Sequence, residues 1–419
     1  MMATKSGTQR GFNLKRTIWR WHFLAGIYVS PVVLIVSITG ALYVFKPELE
    51  PLLYPDLLSV TPSETVVSLD RQVAAAKEYI GPDWSVMTVD IDRTQPSFPN
   101  GVVVQNSEYQ VKTIYVDPYT GKALGELENP NFFGVVLDIH ATLMGGMIGR
   151  FFVELATCWA IFLAVTGVYL WWPRTLARLK GVWWPRFRAQ AYVVVRDIHT
   201  LTGIWLLPVL ILILVSGLIF SLVWGASYHG VAFVTDAYAV RFDPPKSVPI
   251  DVSTTASLDS IWMNANGHHE LQRTSIHLPQ HDQDSFIVET GGNLGASASD
   301  VLVLDQYSGD LLLHKRLSEL PVMAQITSWA YPFHVGSVLG LTTKIIWLMA
   351  SLVLAFMPIT GIAMWLIRRR PHTLGFPRAY EAATPKWLVF LMVMFGVVLP
   401  AAGVTLAIAA MREWWVSRR

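Results

Sequence analysis

A chain of 419 residues that is 53% hydrophobic and only 15% charged is more apolar than an ordinary soluble protein. Its single cysteine, Cys158, excludes an intrachain disulfide framework, a cysteine zinc site and a cysteine-held iron–sulfur cluster. The net charge of +2 comes from clustered cations with no nucleic-acid footprint, and the 17 Trp suit the aromatic belts of a membrane interface.

Residues 1–16 are polar and basic (Lys5, Arg10, Lys15, Arg16). The apolar run 17–45 is expected to be a first transmembrane helix. Its basic lead also suits a signal peptide, but the run is longer than a typical h-region and pairs with a later internal helix. Region 46–130 reads as a small α+β domain. Ser68 to Ile80 is an amphipathic helix, 86–91, 101–104 and 111–116 alternate like strands, and Asp117-Pro118-Tyr119-Thr120-Gly121 is a turn.

The run 131–172 is too long for one straight crossing, so Gly145-Gly146 is expected to divide an outer helix from a second span. The loop 173–196 carries Arg174, Arg178, Lys180, Arg186, Arg188 and Arg196, and a third span follows over 197–224. Region 225–325 is a second α+β domain, with a helix opening at Ser257-Leu258-Asp259, strands at 286–288 and 301–304, and a turn at Asp305 to Gly309. Residues 326–367 give another outer helix and a fourth span, 368–386 opens with Arg368-Arg369-Arg370, 387–410 is a fifth span and 411–419 a tail. The cations assign the N-terminus and the loops 173–196 and 368–386 to the cytoplasm. Both α+β domains then face the periplasm of a bacterial inner membrane. Arg412, Arg418 and Arg419 fall outside, against the charge rule.

The halves match. His22 precedes Gly40 by 18 residues, as His199 precedes Gly217; His140 precedes Gly167 by 27, as His334 precedes Gly361. Each glycine follows Thr or Ser: Thr39, Thr166, Ser216 and Thr360. Ten residues after the later histidine of each half stands Arg150 or Lys344. Ser68-Leu69-Asp70 matches Ser257-Leu258-Asp259, and the two Asp-x-Tyr turns match at nearly the same offset (189 and 188). The pattern is an internal parallel duplication, with a pseudo-twofold along the membrane normal.

That symmetry pairs His22 with His199 near the cytoplasmic edge and His140 with His334 near the outer edge. Two neutral imidazoles from facing helices fill both axial positions of one haem. The Thr-Gly and Ser-Gly positions allow close helix packing or leave room for a flat macrocycle. Propionates sit best beside interfacial cations: Arg16, Arg20 and Arg196 inside, Arg150 or Lys344 outside. Asp138 and Asp197, two residues before their histidines, point elsewhere on the helix and read as first-turn or N-cap carboxylates. A straight helix from His140 to Arg174 runs 34 residues, or about 51 Å against a hydrocarbon core of about 30 Å. The Gly145-Gly146 break, and Gly336 and Gly340 in the other half, would shorten that gap. His229 is an alternative ligand or an interfacial residue; His268, His269, His277 and His281 could bind a metal or a ferric complex, but they fit no zinc spacing and read as a solvated loop.

Residues 15–370 resemble the PepSY-associated transmembrane family. The likeness rests on the helix-opening histidines, Thr166-Gly-Val-Tyr-Leu-Trp-Trp-Pro-Arg174, Thr360-Gly-Ile-Ala-Met-Trp-Leu366 and the turn Val116 to Lys122. The resemblance implies a membrane α-helical bundle of four core helices, to which the fifth is an addition, carrying two PepSY-like domains. It implies two b-type haems, held by His22, His199, His140 and His334. It also implies reduction of a ferric siderophore or other ferric chelate in the periplasm. The donor would be a cytoplasmic protein, a flavin or a quinol, because no dinucleotide glycine fingerprint is present. The rivals are a haem-free sensor or assembly factor whose outer domains bind peptide or protein, and a siderophore transporter.

Overall fold

The computed structural model describes residues 12–173, 180–238, 240, 243–248, 255–268, 271–291, 300–377 and 385–417. Lys5, Arg10, Arg174, Arg178, His269, Arg418, Arg419 and the Arg412 side chain lie outside the described residues. The helices are α1 (Leu14–Tyr43), α2 (Lys46–Leu53), α3 (Pro55–Leu58), α4 (Leu69–Ile80), α5 (Phe132–Thr142), α6 (Gly146–Trp171) and α7 (Ala191–Trp205). They continue with α8 (Leu207–Leu218), α9 (Val223–Val234), α10 (Leu258–His268), α11 (Val322–Val335), α12 (Leu341–Arg368), α13 (Lys386–Val398) and α14 (Pro400–Ser417). The strands are β1 (Trp84–Asp92), β2 (Asn100–Asn106), β3 (Val111–Val116), β4 (Ala123–Glu126), β5 (Arg273–His277), β6 (Ser285–Gly291), β7 (Asp300–Asp305) and β8 (Leu311–Arg316). The chain forms two compact units: Met1–Leu42, Val136–Tyr228 and Ile345–Arg419 make the first, Tyr43–Val135 and His229–Lys344 the second.

The first unit is helical. Among the described residues α1, α6 and α12 are each long and apolar enough to cross a membrane. The α7–α8 pair makes a fourth candidate only if counted as one span, because it bends by 66°. Pro208 explains the bend. It lacks the N–H that would bond the Ile204 carbonyl, and its ring crowds that carbonyl, so the helix stops at Leu206. The third span expected over 197–224 therefore begins earlier, is broken in the middle and ends at Leu218, with α9 as a separate helix.

The gap between α8 and α9 is held from α6. The Arg150 guanidinium donates to the Phe220 carbonyl at 2.6 Å, while the buried Glu154 carboxylate accepts from Val223 N at 2.6 Å and Trp224 N at 3.0 Å. One helical turn of α6 thus satisfies both polarities of an interrupted backbone, as an apolar setting demands.

The fifth run is not one span. It breaks at Leu399, before Pro400, into α13 and α14. Cys158, Leu218, Leu399, Ala401 and Ala402 form the small core around this break.

The second unit corrects the expectation of two separate α+β domains. One eight-stranded antiparallel sheet runs in the order β4-β3-β2-β1-β5-β6-β7-β8. Its two halves join where β1 pairs with β5, Thr88 opposite His277 and Asp90 opposite Ser275. Two separate domains would each leave such a strand as an open edge; pairing them removes both edges. Helices α4 and α10 share one core with the sheet through Leu69, Val73, Ala76, Leu258, Ile261 and Ala265.

Their first turns are capped crosswise. Asp70 accepts from Leu258 N at 3.0 Å, and Asp259 accepts from Leu69 N at 2.9 Å. The matched turns are alike as well. Asp117 accepts from Tyr119 N and Asp305 from Tyr307 N, each at 2.8 Å, and Gly121 and Gly309 take positive φ of 72° and 75°. That is a backbone conformation suited to glycine.

Candidate functional site

The first unit contains a cavity of about 520 Å³, within the range of ligand pockets, about 300–1,000 Å³. His22 of α1 and His199 of α7 both line it. Each ring is held from a further helix: His22 Nδ1 lies 2.9 Å from Thr166 Oγ1 of α6, and His199 Nδ1 lies 2.7 Å from Thr360 Oγ1 of α12. The pairing of His22 with His199 read from the repeat is thus brought together on one wall-to-wall space.

Four glycines of the surrounding helices also line that space. Gly26 and Gly203 stand one turn beyond the two histidines, and Gly167 and Gly361 follow the two threonines. Side chains are missing at matched points on four helices, while Leu163, Leu210, Leu214 and Met357 supply apolar walls. One end is cationic and aromatic, with Lys15, Arg196 and Arg368 beside Trp19, Trp171 and Trp365. The Arg368 guanidinium lies over the Trp19 ring, 4.4 Å from its centre.

Arg196 and Arg20 were both expected there. Arg196 lines the cavity, but Arg20 does not, and its Nε is buried without a hydrogen-bond partner among the described residues. Asp197 is not a first-turn carboxylate, because α7 starts at Ala191. It is 1% exposed and takes a two-pronged bond from Arg186 (2.7 and 2.8 Å) and another from Arg196 (2.8 Å). The sequence showed Arg186 only as one cation among many; its side chain ties the polar loop onto the histidine-bearing helix. Asp138 likewise sits inside α5, where it accepts from Thr142 of the same helix.

His140 ends α5 and packs against α1. Its Nδ1 is 2.9 Å from the Val36 carbonyl and 3.2 Å from Thr39 Oγ1, and its Cε1 would lie 3.0 Å from a Cβ on Gly40. The chain reverses between α5 and α6 through positive φ at Leu143, Met144 and Gly146, so His140 is folded back along the bundle. Thr39 is seventeen residues from His22 along α1. The rise between the two levels is about 26 Å, half the straight-helix figure.

His334 lies in the last turn of α11, in the second unit, and Gly336 ends that helix with a φ of 72°. Arg150 and Lys344, expected beside the outer pair, have other partners: Arg150 bonds Phe220, and the buried Lys344 ammonium pairs with Glu48. His229 bonds Tyr238 at 2.7 Å. In the sheet, His277 bonds Thr88 and His281 bonds Asp284. Among the described residues no group of three or more His, Cys, Asp or Glu is disposed to hold a metal ion.

The chain matches the PepSY-associated TM region over residues 19–368. It belongs to this family. No curated protein matches it. The family match reaches from α1 to the end of α12 and stops before the α13–α14 pair.

Proposed function

We propose that this PepSY-associated membrane protein is a b-type haem oxidoreductase of the bacterial inner membrane. In this reading it carries electrons from the cytoplasmic side to a ferric chelate in the periplasm, such as a ferric siderophore, and releases iron(II). The observation that carries the reading is the pair His22 and His199 on one glycine-lined cavity with a cationic end. A bis-histidine haem needs two imidazoles, a slot for a flat ring and cations for two propionates, and these residues fit all three needs. When bound, such a group supplies one-electron chemistry. The chain itself orients the imidazoles through Thr166 and Thr360, excludes water with apolar walls, and offers Lys15, Arg196 and Arg368 to carboxylates.

His140 is proposed as a ligand of a second haem, nearer the periplasm. The N-terminus is cytoplasmic, and a cytoplasmic protein, flavin or quinol is the donor. With the inside negative, outward electron movement gains about 2.3 kcal/mol per 100 mV. Iron(II) is held more weakly than iron(III) by hard-oxygen chelators, so one electron frees the metal. The crosswise caps and matched turns support an internal duplication as the origin of the paired histidines. A reduced-minus-oxidised absorption spectrum of the purified protein tests the reading. Paired b-type bands are expected, with two haems per chain; a flat difference spectrum on protein expressed with ample haem would reject it.

A further inference from the structure

We infer that Thr39, Thr166 and Thr360 are positioning residues, each locking a histidine in the Nδ1–H tautomer with its Nε2 lone pair free to bind iron. The link to iron rests on the haem reading above; the tautomer does not.

The argument is an account of protons. A threonine hydroxyl has one proton and two lone pairs. Thr166 Oγ1 spends its proton on the Phe162 carbonyl at 2.7 Å, one turn back in its own helix. Thr39 Oγ1 does the same toward Ile35 and Val36 (2.9 and 3.0 Å), and Thr360 Oγ1 toward Phe356 and Met357 (3.1 and 3.0 Å). In an apolar bundle the hydroxyl has no water to bond instead, and the β-branched side chain favours this back-bonded rotamer. An oxygen whose proton is committed can only accept. The ring nitrogen facing it, Nδ1 in His22, His140 and His199, must therefore carry the hydrogen.

His140 decides the matter without assumption. Its Nδ1 is 2.9 Å from the Val36 carbonyl, which has no proton to give. Val36 stands three residues before Thr39 and takes its hydroxyl proton, as Met357 does for Thr360. A hydroxyl beside the carbonyl a turn behind it thus recurs on two different helices. The following glycine clears the ring edge. A Cβ on Gly40, Gly167 or Gly361 would stand 3.0, 3.5 or 3.9 Å from the Cε1 of its histidine. The dipeptide Thr-Gly reads as a seat for an imidazole, gripping one nitrogen and leaving the other outward. A ligating histidine whose second nitrogen donates to a fixed acceptor is both oriented and made more basic.

The direct test is ¹⁵N NMR of histidine-labelled, haem-free protein in lipid nanodiscs, with signals assigned by Thr39→Val, Thr166→Val and Thr360→Val. Protonated Nδ1 and bare Nε2 are expected for His22, His140 and His199. In each valine variant the affected ring should shift toward a mixture of tautomers, and Thr→Ser should restore it. Protonated Nε2 at His22 and His199 in the parent overturns the inference. The second arm uses haem-loaded protein. Haem affinity should fall about 10- to 100-fold in Thr166→Val and Thr360→Val, the size usual for such partners, with a shift in the low-spin ferric EPR signal that serine reverses. Unchanged affinity and EPR in both valine variants overturn the positioning role. Parent protein that never takes up haem rejects the functional reading instead, and leaves the NMR result to judge the tautomers.

Discussion

Gly396 and Gly403 meet backbone to backbone: a Cβ on Gly403 would sit 3.1 Å from the Gly396 Cα. In a straight helix two residues seven apart are separated by about 10.5 Å. The chain therefore doubles back at Pro400. Trp159 of α6 agrees, since it meets Phe395 of α13 (ring centres 5.9 Å apart) and hydrogen-bonds Thr405 of α14 at 3.3 Å. A hairpin entered at Lys386 returns toward the side it left. The expected outcome is that a reporter fused after residue 417 shows the same side as one inserted at residue 374. Cytoplasmic fluorescence of both fusions checks this; opposite sides would restore a full crossing. A hairpin also removes the conflict with the charge rule that a full fifth crossing imposes on Arg412.

The slot between His22 and His199 depends on missing side chains. Gly203→Leu places a branched group beside Met357 Sδ, which is 3.5 Å from the Cβ position. The predicted result is loss of most haem from this cavity, with His140-dependent haem retained. Haem-to-protein ratios in Gly203→Leu, His199→Ala and His140→Ala separate the two. The first two variants should lose the same spectral component, and the third a different one.

Asp197 is buried while its partners Arg186 and Arg196 are 39% and 42% exposed. Removing one member of a buried pair costs about 3–5 kcal/mol, a figure to be reduced for the solvent around these guanidinium groups. Asp197→Asn is expected to lower the detergent melting temperature and to expose the segment at 180–190 to trypsin. Arg186→Lys should give part of the same effect, because an ammonium cannot reproduce the two-pronged bond. Limited proteolysis of the three proteins decides it.

Acid should loosen the sheet through Asp305. Burial alone would raise its carboxyl, but the amides of Ser308, Tyr307 and Val248 outweigh burial and hold it below the ordinary value. A carboxyl depressed by folding contributes fully above its unfolded value, about 3.9, and loses that contribution as pH falls through the lower folded value. Hydrogen exchange in β7 should therefore quicken below about pH 4. Asp305→Asn should be weaker at neutral pH and should lack that part of the acid response.

The sequence carried the histidines, the Asp-x-Tyr turns and the outer helices, because each has a local signature in spacing or turn chemistry. It also held signals that went unread. Pro208 and Pro400 stand inside apolar runs and mark both breaks, and Gly396 and Gly403 flank the second. The Thr-Gly pairs are plain in the spacing, yet their use as seats for imidazoles depends on which helix faces which. Other features have no local trace. The second partner of β1 is a strand nearly two hundred residues away, and nothing in its alternation says so. Lys344 and Arg150 look available as bare cations until Glu48 and Phe220 are found beside them. Asp197 looks terminal until the helix is seen to begin six residues earlier.

The crosswise caps of α4 and α10 make each half of the sheet region incomplete alone. Without Asp259 the first turn of α4 keeps an unbonded amide, and without β5 the strand β1 is a bare edge. A lone half would seek a second copy of itself and be sticky until it found one. Joined in one chain, the halves meet as tethered neighbours, so the seam closes by intramolecular encounter.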